Sequence, residues 1–151
     1  MFLLLLLPAG LVATFGLAGY GLGLIGRVGL RRADRGARLR IVAALLGCAA
    51  AALYTWGLLI VASAVLEAED GGTDSSPIRP CRIASQGERV RHVIDYHVDY
   101  VPLRFICELT DGGSYADNSV PGYVNPAVLT FALTAAVSAG AASRESRRVR
   151  R

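Results

Sequence analysis

Three long stretches without a single charged residue constrain this chain more than anything else in it. They run from Phe2 to Gly26 (25 residues), Ile41 to Leu66 (26) and Tyr123 to Ser143 (21). An uncharged apolar run of about 18 or more residues can cross a bilayer as a helix, because ~20 residues at ~1.5 Å rise each span a ~30 Å hydrocarbon core. None of the runs carries a polar stripe at helical spacing. A water-soluble bundle built from them would therefore expose apolar surface on every helix. The first run could also be a cleaved signal peptide. It lacks a basic leading region and ends in arginines rather than in a small-residue cleavage site, so a retained helix is the expected reading.

Charge supplies the orientation. All 16 basic residues are arginine. Segment 27–40 carries six arginines against Asp34, and segment 144–151 carries five against Glu145. Segment 67–122 holds five arginines against ten acidic residues. Short arginine-rich segments stay cytoplasmic. The expected organisation is a transmembrane helix at 1–26, a cytoplasmic basic loop at 27–40, a second helix at 41–66, an extracytoplasmic module at 67–122, a third helix at 123–143 and a cytoplasmic basic tail at 144–151. This is a multi-pass plasma-membrane protein with its N-terminus outside and its C-terminus in the cytoplasm. Arg27, Arg31, Arg32, Arg35, Arg38 and Arg40 are the expected lipid anchors, each worth about 1 kcal/mol against an anionic membrane surface.

The stretch GYGLGLIGRVG contains a literal G-x-G-x-x-G at Gly21, Gly23 and Gly26. A dinucleotide site needs a preceding strand, a helix opening after the first glycine, and an acidic residue about 20 positions on. Here the upstream residues belong to an apolar run of membrane length, and that position is Ile41. The match is coincidental. On a helix, Gly16, Gly19, Gly23 and Gly26 share one face, which permits close backbone approach by another helix. Ala43, Gly47 and Ala51 form a similar row on the second helix, and Ala132, Ala136 and Gly140 on the third. The spacing leaves open whether these faces meet within one chain or between copies. No charged residue lies within the runs, which argues against a proton relay or carrier acting alone. Tyr54 and Trp56 sit within the second run and are expected at helix contacts. Asn125 is expected to cap the third helix, with Pro126 at its first position and Tyr123 at headgroup level.

Between the second and third runs, EAEDGGTDSSP reads as a flexible acidic linker. CRIAS and ERVRHVIDYHVDYVPLRFICEL read as strands, with Val90, His92, Ile94, Tyr96, Val98 and Tyr100 alternating against Arg91, Val93, Asp95, His97 and Asp99. Pro102 is expected to interrupt pairing. Leu103, Phe105, Cys107 and Leu109 share one face beyond it. The expectation is a small antiparallel sheet of two or three strands, too small to hold a core unaided. Cys81 and Cys107 supply the remedy. A disulfide closing that loop is worth roughly 3.5 kcal/mol on a chain-entropy account, and it would persist outside the cell. Cys48 lies in an apolar run and reads as a packing residue. Asp95, His97 and Asp99 project from one side of a strand, but about 7 Å separates successive members, which is wide for one metal ion. TDGGSYADNS does not fit a calcium loop and reads as turns around Asp111, Asp117 and Asn118.

Along DYVPLRFICELTDGGSYADNSVPGYVNP, the chain resembles small, uncharacterised integral membrane proteins of actinobacteria. The matching residues are Pro102, Cys107, Gly112, Val120, Pro121, Gly122, Tyr123, Val124, Asn125 and Pro126, within about 30 residues. The resemblance implies a cell-envelope location and carries over no catalytic residue.

The fold expected is therefore all-α within a membrane, three transmembrane helices carrying a small disulfide-closed antiparallel β-module. The expected role is non-enzymatic, with the module contacting a protein partner or envelope component. Alternatives are a subunit of an oligomeric transporter or channel and, further off, an envelope redox or metal enzyme using Cys81 and Cys107 or the Asp95/His97/Asp99 row. Membrane lipid and a protein partner or second copy are the expected contacts. No cofactor, metal or nucleic acid is expected.

Overall fold

The structure is a computed structural model that describes residues 2–29, 33–70 and 76–149. Its helices are α1 (Phe2–Val28), α2 (Arg35–Glu69) and α3 (Val124–Val149), and its strands are β1 (Val93–Tyr100), β2 (Leu103–Leu109) and β3 (Ser114–Ala116). All three helices are long and apolar enough to cross a membrane. The chain divides into a helical unit, Met1–Thr55 with Pro126–Arg151, and a second unit, Trp56–Asn125.

In the helical unit, α1 ends where Gly29 turns to a φ of +71° and its N–H donates to Ile25 O. That left-handed residue is the usual helix terminator, since glycine adopts it without a Cβ clash. Asp34 opens α2, its carboxylate accepting the Ala37 N–H at 3.1 Å. This satisfies one of the amides that a helix start leaves unpaired. Hydroxyls on the helices return to their own backbone. Thr14 donates to Gly10 O, Thr55 to Ala51 O, Thr130 to Pro126 O, Thr134 to Thr130 O and Ser143 to Ala139 O. A helix in an apolar medium needs its polar groups satisfied internally in this way.

The second unit is a three-stranded antiparallel meander in the order β1-β2-β3. Tyr100 pairs with Leu103 around a two-residue turn with a cis Val101–Pro102 bond. Pro102 thus forms the hairpin turn rather than interrupting a strand. Tyr96↔Cys107, Val98↔Phe105 and Tyr100↔Leu103 register on one face, and Asp95↔Glu108, His97↔Ile106 and Asp99↔Arg104 on the other. The core gathers Ala64, Cys81, Val93, Phe105, Cys107, Leu109 and Tyr115, with Val65 and Ala68 of α2 packed against it. Cys81 and Cys107 form a disulfide, their Cα atoms 6.0 Å apart. Tyr96 stacks on Phe105 at 4.9 Å between centroids, and the Tyr115 hydroxyl donates to Cys81 O at 2.7 Å.

Several local expectations are corrected. Ala84–His92 forms 3-10 turns broken at Gly87, and Arg79–Cys81 is another, so neither CRIAS nor residues 84–92 are strand. The register shifts between Val93 and Asp95, turning Val93 inward and leaving Ile94 62% exposed. A bulge adds one residue to one strand and so reverses the in–out alternation beyond it. The acidic linker begins as helix, since α2 continues to Glu69, while residues 71–75 lie outside the described ones. α2 starts at Arg35 and α3 reaches Val149, so the charged segments do not mark helix ends. Asn125 does not cap α3. Its side chain instead accepts from Leu103 N and donates to Leu103 O, at 2.9 and 3.1 Å.

Candidate functional site

The bulge and the hairpin register together define one face of the sheet. Residues directly opposed on neighbouring strands share a face, and diagonal neighbours are within reach of long side chains. His97 thereby meets Glu108 of β2, its Nδ1 lying 2.7 Å from Glu108 Oε1, while Nε2 lies 3.8 Å from Asp99 Oδ1. All three side chains are about half exposed. The face is thus a polar row in which His97 and Glu108 are hydrogen-bonded, bordered by Ile94 at the bulge and by Val101, 90% exposed at the hairpin turn. Glu108 was not identifiable as His97's partner from one strand alone, because the pairing depends on register. Asp95 turns back locally and accepts the Tyr96 N–H. Among the described residues, no three His, Cys, Asp or Glu side chains converge on a point where a metal ion could sit.

Behind the row, the Tyr96 hydroxyl donates to Glu69 at the end of α2. Burial chiefly, then that carboxylate, push the Tyr96 phenol up to about 12. Burial raises Tyr115 as well, partly offset by the Arg89 guanidinium 6.0 Å from its ring centroid. Burial also raises Asp117, opposed by hydrogen bonds from Ser119. Asp111 and Asp117 each accept a backbone N–H two residues on, from Gly113 and Ser119. These are turn-forming contacts.

In the helical unit, a Cβ added at Gly16, Gly19, Gly23 or Gly26 would meet nothing within 4 Å. The intrachain approach uses other glycines. A Cβ at Gly10 would collide with Thr55 Oγ1, and one at Gly21 would lie 3.2 Å from Ala44 Cβ. Gly47 keeps its expected kind of contact, with Leu17 Cδ1 3.2 Å from where its Cβ would be. Ala51 is half-buried and its carbonyl accepts the Thr55 hydroxyl. Ala43 lines the same inter-helix space as Gly47. The sign that Gly10 and Gly21 were the contact residues lay in their partners on α2, which one helix's spacing does not reveal.

Four of the six expected anchor arginines lie on the described helices. Arg27 lies in the last turn of α1 and Arg35 is the first residue of α2. Arg38 donates to Ala33 O and Arg40 to Ser146 Oγ. Arg31 and Arg32 lie outside the described residues. Trp56 stacks on Tyr123 with centroids 6.5 Å apart, both rings in the second unit. Cys48 is half-buried with a free thiol.

No protein-family model matches the chain, and no curated protein or solved structure is significantly similar to it.

Proposed function

We propose that this chain is a non-enzymatic integral protein of the plasma membrane, with its N-terminus outside and its C-terminus in the cytoplasm. In this reading it presents its disulfide-closed sheet to a protein partner or envelope component. Two things support the membrane assignment. The arginines cluster in the segments flanking the apolar runs. The helices also carry broad apolar exposure, with Leu4 at 76%, Phe15 at 72% and Val137 at 72%, and extensive apolar exposure marks a surface meant for lipid or protein contact. The likeness to small actinobacterial envelope proteins points the same way.

The interaction role rests on the polar row of His97, Asp99 and Glu108 between Ile94 and Val101, in which His97 and Glu108 hold one another. Side chains already held by one another lose little rotamer freedom on binding, so such a face suits recognition. A photo-crosslinking residue at Val101 in intact cells should yield a discrete adduct, and one at exposed Glu88 should not. Equal labelling at both positions, or an outer segment removable without phenotype, would count against the role.

A second reading draws on the open face of Gly16, Gly19, Gly23 and Gly26. A glycine face without an intrachain neighbour suits contact between copies, as in an oligomeric transporter or channel subunit. A discrete higher mass in nanodiscs, abolished by Gly19→Leu, would favour it. A monomeric mass in both proteins would remove it.

A further inference from the structure

A cavity of about 450 Å³ opens within the helical unit, lined by Leu17 and Tyr20 of α1, Arg40 and Gly47 of α2, and Ala136 and Ser143 of α3, among others. Its volume falls within the ~300–1,000 Å³ typical of small-molecule sites. The space exists because glycine and alanine on α2 and α3 are too short to fill the gap between three helices. Its lining is asymmetric along the helices. Gly47, Leu17 and Ala136 present only apolar surface, whereas Arg40, Tyr20 and Ser143 bring a guanidinium and two hydroxyls. Arg40 is exposed, and its partner among the described residues is a hydroxyl, Ser146 Oγ, rather than a carboxylate. Among the described residues, the guanidinium thus has a hydroxyl and no carboxylate beside it at the rim of an apolar space.

An occupant complementary to this lining has a single negative charge with hydrogen-bond acceptors at one end and hydrocarbon at the other. We infer that the cavity is a binding site for an anionic phospholipid, its phosphate on Arg40 and one acyl chain lying along Gly47 and Ala136. Arginine's planar fork suits phosphate oxygens in two-point contact, and basic pockets between membrane helices hold acidic headgroups by this chemistry. This inference rests on the membrane assignment proposed above. It differs from surface attraction of the arginine-rich segments, which would retain no individual lipid molecule.

The test is native mass spectrometry of the full chain, released from nanodiscs of phosphatidylglycerol mixed equally with phosphatidylcholine of identical chains. The wild-type protein should retain phosphatidylglycerol at about one per chain, preferred about fivefold over phosphatidylcholine, as one added cation–anion contact at the interface implies. Arg40→Gln should abolish the preference while leaving some lipid bound, and Ala136→Leu should lower the retention of both lipids alike by obstructing the path of the acyl chain. Equal retention of the two lipids by the wild type would overturn the inference without any variant. So would a preference that survives Arg40→Gln, or inorganic phosphate displacing no lipid yet binding the detergent-solubilised chain at the same site. A chain found in the aqueous fraction without detergent would instead defeat the membrane assignment. A chain embedded in the nanodisc but carrying no retained lipid would defeat this inference alone.

Discussion

Tyr96 shows how one side chain ties the sheet to a helix end in the second unit. Its hydroxyl donates to Glu69, an arrangement available only to the neutral phenol. With the folded phenol raised from 10 to about 12, its stabilising contribution is full below pH 10 and is lost as pH rises toward 12. In an ultraviolet titration, the phenolate component near pH 12 should disappear in Tyr96→Phe and move to lower pH in Glu69→Gln. Asn125 acts by a different means, its amide serving both backbone groups of Leu103, which is fully buried. Asn125→Ala would leave those groups in search of partners at a cost of about 1–3 kcal/mol. Thermal unfolding in detergent should register a lower midpoint. Asn125→Asp should recover only the half that accepts from Leu103 N–H.

The elements divide sharply between those legible from sequence and those not. The apolar runs define three helices because a long apolar run satisfies its backbone hydrogen bonds within itself only as a helix. The pairing of Cys81 with Cys107 was equally legible, since segment 67–122 holds just these two cysteines. The start of β1 was not. Val90 to Tyr100 alternates well, but the 3-10 turns through His92 and the bulge at Ile94 answer to the partner strand and the core, which one strand's pattern does not contain. The helix contacts show the same limit. Gly16, Gly19, Gly23 and Gly26 form the more regular face, yet Gly10 and Gly21 make the approach because Thr55 and Ala44 stand opposite them. Gly10→Leu should therefore destabilise the isolated monomer by about 1–3 kcal/mol through overpacking, whereas Gly19→Leu should leave its melting temperature unchanged. The two variants compared by thermal melting in detergent decide this.

For the molecule as a whole, the proposed topology makes a prediction that depends on no particular contact. Cysteines introduced as Glu88→Cys and Arg147→Cys should behave oppositely toward a membrane-impermeant thiol reagent on intact cells. The first should label and the second should label only after the membrane is opened. Labelling of both, or of the second alone, would reverse or remove the assignment. The arginine imbalance is the entire basis for the expectation, with net charges of +5 and +4 on segments 27–40 and 144–151 against −5 on segment 67–122. The outcome therefore tests the charge argument directly.

The Cys81–Cys107 bond also changes what a protease does to this chain. It bridges both ends of the stretch holding the 3-10 turns, β1 and the hairpin turn, where Val101 stands exposed. A single cut anywhere in that stretch severs the backbone but not the molecule. The nicked protein should run as one species on a non-reducing gel and as two fragments once a reductant is added, so an intact apparent mass after digestion is no evidence of an intact backbone.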